Sequence, residues 1–361
     1  MFSHPIRRIA RRPLGPIATI PLLALGGCGM QVLDPAGDVA QQQAHLVIIS
    51  TVLMLLIIVP VLALTVFFAW RYRASSTTAE HRPDWDHSTG LELVIWSAPL
   101  LIIIALGAIT WISTHTLDPY RRLSRIAPGQ AIAPGSKPLE IDVVALDWKW
   151  LFIYPEQGIA TVNQLALPIN REVRFRISAS SVMNSFYVPT LAGQIYAMPG
   201  METKLHAVLN RTGTFEGFSA NYSGAGFSGM HFPVEGMSGG DFDRWVARSR
   251  VAAGRLDSAA YLVLAKPSED VPARRWASVD PMLFDHIVNM CVAPGQSCTN
   301  ATMRMDMTAR TSGVAPVPID DSAHPATDGG AKGALLRSPQ EKGASPRQSA
   351  PANAPTLPSH T

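Results

Sequence analysis

The sequence predicts an α+β membrane protein: a two-helix transmembrane hairpin, a Greek-key β-sandwich, short C-terminal helices and a disordered tail. Three patterns predict it. Two apolar runs before residue 115 are long enough to cross a bilayer, the pattern from Leu139 turns to short alternating strands, and the chain beyond residue 308 is rich in Ala, Pro, Ser and Gly.

The chain opens as an exported protein. Arg7, Arg8, Arg11 and Arg12 form a basic region, and Ile17 to Leu25 is an apolar stretch too short to span a bilayer. It ends in Leu25-Gly26-Gly27-Cys28, where small residues before a cysteine read as a lipobox. Residues 1–27 are then a lipoprotein signal peptide, cleaved between Gly27 and Cys28, with acyl chains such as palmitate on Cys28. The alternative is a buried free cysteine behind an ordinary signal. Residues 28–44 form a short external segment.

Residues 45–70 and 91–113 are the two membrane helices. Leu46 to Trp70 contains no charge, and the second run carries only Glu92 at one end. At ~1.5 Å per residue each exceeds or matches the ~30 Å hydrocarbon core. Pro60 and Pro99 are tolerated there because neighbours can satisfy the freed carbonyls. Trp70, Tyr72, Trp96 and Trp111 sit near the ends, where aromatic rings favour the interface. Export of Cys28 sends the first helix from outside to inside. Arg71, Arg73 and Arg82 then fall in a cytoplasmic loop, residues 71–90, as the positive-inside rule requires. The remainder is external, which in a bacterium means periplasmic.

Strands begin at Leu139. Glu140-Ile141-Asp142-Val143 alternates, Arg171 to Ile177 places Val173, Phe175 and Ile177 on one face, and Lys204 to Leu209 repeats the theme. Period-two alternation marks half-buried antiparallel strands. Proline and glycine at Pro155, Gly158, Pro168, Pro189, Pro199-Gly200 and Gly213 punctuate them. Residues 114–235 therefore form a sandwich. In residues 236–308, Phe242, Trp245 and Val246, then Tyr261 to Leu264, then Leu283 to Val288 suggest helices packing on the sandwich or on a partner. Residues 309–361 bury too little to order.

Composition excludes more than it selects. A net charge of +3 is too small to argue for nucleic acid, and three cysteines cannot make a disulfide framework. Cys291 and Cys298 flank Pro294-Gly295 and read as a local disulfide. A rival reading is soft-metal binding with Met303, Met305 and Met307, in a flexible segment.

Together the lipobox, the two apolar helices, Asp147-Trp148-Lys149-Trp150, Tyr154 to Ala160 and Ser181 to Pro189 resemble subunit II of haem-copper terminal oxidases, and most closely its ubiquinol oxidase (cytochrome bo-type) branch. The resemblance runs to about residue 290 and implies a cupredoxin-like sandwich. In the cytochrome c oxidases of that family a loop reads Cys, three residues, Cys, three residues, His, two residues, Met, with a glutamate between the cysteines and an earlier histidine. Here the matching positions are Ser219, Asn221, Ser223, Phe227 and Met230, with Asn184 at the earlier one. A soft dinuclear copper site wants thiolate, imidazole and thioether, so the loop reads as an emptied copper site with Met230 retained.

The resemblance then implies a non-catalytic subunit II of a proton-pumping ubiquinol oxidase in a bacterial inner membrane, holding no cofactor of its own. Haems and copper are expected in partner subunit I, with subunits III and IV, ubiquinol as substrate of the complex and membrane lipid as surroundings. Two rivals are a free-standing membrane-anchored cupredoxin-like lipoprotein for binding or copper handling, and a cytochrome c oxidase subunit II. Trp148 and Trp150 read as core or interface aromatics and Met230 as a packing residue. His206 reads as an exposed-face histidine, and Glu92 as interfacial, with proton entry as its alternative.

Overall fold

The structure is a computed structural model that describes residues 31–77 and 83–311. Gly27, Cys28, Arg82 and the tail from residue 312 lie outside the described residues.

Two long helices lead. Helix α1 (Asp38–Arg71) contains Pro60, and α2 (Thr89–Thr116) contains Pro99. They pack side by side, and among their described residues only Asp38, Val39, Ala40 and Ala44 are buried. Leu56, Val66, Leu93 and Trp96 instead point outward. In water this apolar surface would be costly, so the pair fits a bilayer. Helix α1 starts seven residues before the position 45 expected from hydropathy, because its first turns dock on the folded domain. The N–H groups of Ala36 and Gly37 donate to Thr190 O (2.8 and 3.0 Å), and Asn210 N–H donates to Ala36 O (2.7 Å). A Cβ at Gly37 would stand 2.3 Å from Val208 O, so only glycine lets these backbones meet.

After a small hairpin of β1 (Arg125–Ala127) and β2 (Gln130–Ala131), ten strands build a sandwich. They are β3 (Leu139–Leu146), β4 (Lys149–Tyr154), β5 (Ile159–Val162), β6 (Leu165–Pro168), β7 (Glu172–Ala179), β8 (Asn184–Tyr187), β9 (Ile195–Ala197), β10 (Thr203–Val208), β11 (Gly213–Ser219) and β12 (His231–Met237). One sheet runs β10-β7-β3-β4-β5, and the other runs β6-β12-β11-β8-β9. The β3–β7 and β6–β12 pairs are parallel, and the others are antiparallel. Between the sheets Trp150, Phe152, Phe186 and Phe232 pack with ring centroids 5.0 to 6.4 Å apart, within the favourable range for aromatic pairs.

The first sheet is not half-buried, as alternation alone suggests. Ile141, Val143 and Ala145 of β3 face the sandwich, while Val144 and Leu146 face a second apolar cluster on the outer side. On β4, Trp150 and Phe152 face in, and Leu151 and Ile153 face out. The outer cluster is closed by the C-terminal segment, whose Leu256, Tyr261, Trp276, Leu283, Phe284 and Ile287 are buried there. Thus the expected short helices are present and pack on the sandwich: α3 (Gly239–Arg250), α4 (Ser258–Leu264) and α5 (Leu283–Val288). Short strands β13 (Arg255–Leu256), β14 (Arg274–Trp276) and β15 (Ser278–Val279) lie among them, with β14 extending the first sheet beside β5. Ser238 caps α3 by accepting from Asp241 N–H.

One expectation is corrected here. The methionine segment, flexible in the soft-metal reading, forms helix α6 (Thr299–Thr311), with Met303, Met305 and Met307 exposed. Met303 and Met307 are one turn apart and share a face, from which Met305 turns away. Cys291 and Cys298 are joined as a disulfide just before this helix, Cα–Cα 4.8 Å, so neither offers a thiolate to a soft metal.

Candidate functional site

The loop singled out by sequence closes one end of the second sheet. Strand β11 pairs with both β8 and β12, which brings Ser219, Asn184 and Met230 together. A short 3-10 turn at Ala225–Gly229 carries the chain between β11 and β12. Ser219 Oγ lies 3.0 Å from Asn184 Oδ1, and Ser219 N–H donates to Met230 O at 3.1 Å. Asn221 Nδ2 donates to Met183 O (3.1 Å), and Ser223 Oγ donates to Met230 Sδ (3.4 Å). The Phe227 ring meets Tyr222 edge-on at 5.5 Å. Five of the six positions therefore gather around one polar knot, and Phe227 caps its rim.

Trp148 covers the knot. It leaves the turn between β3 and β4 and donates from Nε1 to Ser223 O at 3.0 Å. Gly224, at φ +117°, and Gly226 let the loop approach the indole; a Cβ would stand 3.0 and 2.7 Å from it. Trp150 lies deeper in the same core, fully buried between the sheets, with Trp148 packed at its edge. Between the two tryptophans, Lys149 is buried yet satisfied: Nζ donates to Asp147 O (2.8 Å), Lys266 O (2.9 Å) and Ser268 Oγ (2.6 Å). Burial pulls its pKa below the ordinary lysine value, opposed by the nearby Asp147 carboxylate.

Chemically the knot offers hydroxyl, amide and one thioether. Its donors suit hard or neutral partners, not a soft dinuclear copper that needs thiolate and imidazole. The neighbouring His231 does not supply the imidazole. Met230, just before β12, is buried, and alternation along the strand turns His231 outward, where Nδ1 meets Glu216 Oε1 at 2.7 Å. Among the described residues no cluster of three His, Cys, Asp or Glu could hold a metal ion.

A second polar region escaped the sequence reading. His206 is buried and not on an exposed face, because the chain at Pro119 crosses β10 and its carbonyl accepts from His206 N–H at 3.0 Å. His206 Nδ1 stands 2.9 Å from Glu172 Oε1, which also accepts from Leu123 N–H, while Arg122 reaches Oε2 at 3.0 Å. Burial lowers the His206 pKa, reinforced by Arg174 and Arg122 and opposed by Glu172. Burial would raise the Glu172 carboxyl, but hydrogen bonds from Arg122, His206 and Leu123 together hold it below the ordinary value. The sequence signal was present only in part: Glu172 on β7 and His206 on β10 are diagonal neighbours across the strand pair, opposite Val208 and Arg174 respectively, but the covering segment is non-local.

A third cluster ties the C-terminal segment to the sheet. Arg176 reaches Glu202 and Asp285 at 2.9 Å and Glu140 and Asp142 at 3.5 Å, and its guanidinium lies 4.6 Å over the Phe284 ring. Arg174 bonds Glu140 as well. Glu92, in the first turn of α2, is half-buried and pairs with His87 Nδ1 at 2.7 Å.

Residues 139–237 match the family model for the cytochrome c oxidase subunit II periplasmic domain, and residues 250–295 match the cytochrome oxidase aromatic-rich motif. That second match covers the segment whose aromatic and aliphatic residues close the outer cluster. The chain is 52% identical over 278 residues to a cytochrome bo(3) ubiquinol oxidase subunit 2 of Pseudomonas putida, covering 77% of this chain and 86% of that one. It is 50% identical to the corresponding protein of Pseudomonas aeruginosa (75% and 80% covered) and 48% identical to a ubiquinol oxidase subunit 2 of Acetobacter aceti (80% and 90% covered). With the sandwich, the apolar helix pair and these relatives in hand, the chain belongs to the subunit 2 family of haem-copper ubiquinol oxidases, membrane-anchored oxidoreductase complexes.

Proposed function

We propose that this chain is the copper-free, structural subunit 2 of a proton-pumping ubiquinol oxidase, and that it contributes no catalytic residue of its own. The observation that carries the reading is the knot of Asn184, Ser219, Asn221, Ser223 and Met230, whose polar groups bond one another and the loop backbone. Such donors do not fit a dinuclear copper centre. Electrons then enter the complex from ubiquinol, and haems and copper reside in subunit I, beside subunits III and IV. The established relatives are named for ubiquinol oxidation, which supports ubiquinol as the substrate.

In this reading the chain crosses the inner membrane twice, with the loop at residues 71–90 cytoplasmic and the sandwich periplasmic. Cleavage after Gly27 and acylation at Cys28 add a lipid anchor. The helix pair braces subunit I inside the membrane, and the sandwich caps its outer face. Two features suit a brace: the backbone lock at Ala36, Gly37 and Asn210, and the doubly buried first sheet. The first ties the domain to the hairpin, and the second stiffens the domain itself.

Affinity capture of the chain from membranes in mild detergent tests this. Haem and a second integral membrane subunit should co-purify in fixed ratio, with copper only in the amount that subunit accounts for. Capture of the chain alone, or an additional pair of copper ions per complex, would overturn it.

A further inference from the structure

Where the hairpin meets the sandwich, a cavity of about 280 Å³ opens, with Asp38, Gln42, Thr116, Arg121, Arg122 and His206 in its walls. Its charges are arranged in two parts. Asp38 is only 2% exposed. Its Oδ2 accepts from Gln42 Nε2 (2.7 Å) and Arg125 Nε (2.9 Å), and its Oδ1 has no partner. A buried carboxylate oxygen without a donor is costly, so it marks a place for one. Arg122 and Arg125 are held by Glu172 and Asp38. Arg121 is exposed, and the one hydrogen bond of its guanidinium among the described residues is a long one, 3.4 Å to His115 O.

The cavity also has a defined depth. Gln42 and Gln43 precede the apolar run at Leu46 by one helical turn, and Thr116 follows the second run by three residues. At ~1.5 Å per residue, the mouth stands about 5 Å outside the hydrocarbon core. Headgroup layers add roughly 5–7 Å on each side of that core, so the mouth opens among lipid headgroups. This depth rests on the reading that the hairpin spans the bilayer.

We infer that this cavity binds the headgroup of an aminophospholipid, its ammonium on Asp38 and its phosphate on Arg121. The pairing follows from the chemistry. A phosphodiester takes charge-assisted hydrogen bonds from a free guanidinium, and a primary ammonium supplies the donor that Asp38 Oδ1 lacks. An anionic headgroup without an amine satisfies only one half of the site, and so does inorganic phosphate. A lipid held here would join the hairpin's outer end to the sandwich.

The test uses the intact complex, washed in mild detergent, with retained lipids counted by native mass spectrometry. Wild type should keep a phosphatidylethanolamine that Arg121→Ala holds roughly tenfold more weakly, as loss of one charge-assisted contact implies. Arg121→Ala leaves the Asp38–Arg125 pair intact, and haem content and quinol oxidation should be unchanged. Asp38→Asn, which keeps the shape, should erase the preference for phosphatidylethanolamine over phosphatidylglycerol when lipids are added back to delipidated complex. Equal retention in wild type and Arg121→Ala would overturn the proposal. So would equal affinity of wild type for the two lipids, or displacement of the lipid by millimolar inorganic phosphate. Release of the chain from membranes by alkaline carbonate would instead overturn the spanning reading, and the lipid site with it.

Discussion

Replacing Asp142 by asparagine should stabilise the protein at neutral pH and do almost nothing at pH 4. Asp142 lies on the outer face of β3, 3% exposed, with Arg176 Nη1 at 3.5 Å and no hydrogen bond on Oδ1. Burial is the largest influence and raises its pKa. Arg176 lowers it, and Glu140, Asp285 and Glu202 raise it again, leaving the carboxyl at about 7. An unfolded aspartate titrates near ~3.9. With the folded pKa raised, the native state binds the proton more tightly, so stability from this group is full below pH ~4 and is lost as pH rises through 7. Three units at ~1.36 kcal/mol each put the loss at about 4 kcal/mol by pH 8. Asparagine mimics the protonated acid and never incurs that loss, and Arg176 keeps Glu140, Glu202 and Asp285. Denaturant unfolding of the full chain in micelles, followed by tryptophan fluorescence, should show Asp142→Asn near wild type at pH 4 and up to about 4 kcal/mol more stable at pH 8. An advantage that does not grow between pH 4 and 8, or a less stable variant at pH 8, refutes the reasoning.

Other substitutions probe the remaining parts. Glu172→Gln should cost about 1.5–3 kcal/mol at pH 7, because the hydrogen bonds from Arg122, His206 and Leu123 lose their charged acceptor, while the exposed Arg122 guanidinium can return to water. The native Glu172 pKa is depressed, so the wild-type advantage is present above pH ~4.3 and disappears as pH falls through the folded value; unfolding curves at several pH values check this. Gly217→Ala places a Cβ 2.3 Å from the buried Phe232 ring, and overpacking there should lower stability by at least about 1–3 kcal/mol, read as a lower melting temperature. Grafting Asn184→His, Ser219→Cys, Asn221→Glu, Ser223→Cys and Phe227→His beside the native Met230 should make the loop take up copper, seen by metal analysis and thiolate-to-copper absorption. A folded graft that binds none would mean that the loop lacks the shape assigned to it.

Much of the fold was legible because its signals are local. The apolar runs, the alternation of Val173, Phe175 and Ile177 and the turns at Gly158 and Gly200 each act over a few residues. The loop at Ser219 could be singled out because the positions of Ser219, Ser223, Phe227 and Met230 keep a spacing while changing chemistry. What escaped depends on distant chain. His206 looks exposed on β10 until Pro119 crosses it. Asp142 looks like a solvent-facing strand residue until Asp285 and Phe284 close over Arg176. The first turns of α1 are polar, so hydropathy does not see them, and their place is set by Thr190, Val208 and Asn210. In α6 alternating methionines hid a helix whose period matters only for exposed side chains.

The central claim is that the knot around Ser219 has replaced an electron-entry copper, so electrons reach the complex from quinol. Oxygen uptake by the purified complex, with a reduced ubiquinol analogue against reduced cytochrome c, tests it most directly. The account predicts rapid uptake with the quinol and none above background with cytochrome c. Sustained turnover with cytochrome c would contradict it, since no thiolate or imidazole lies in the knot to accept that electron.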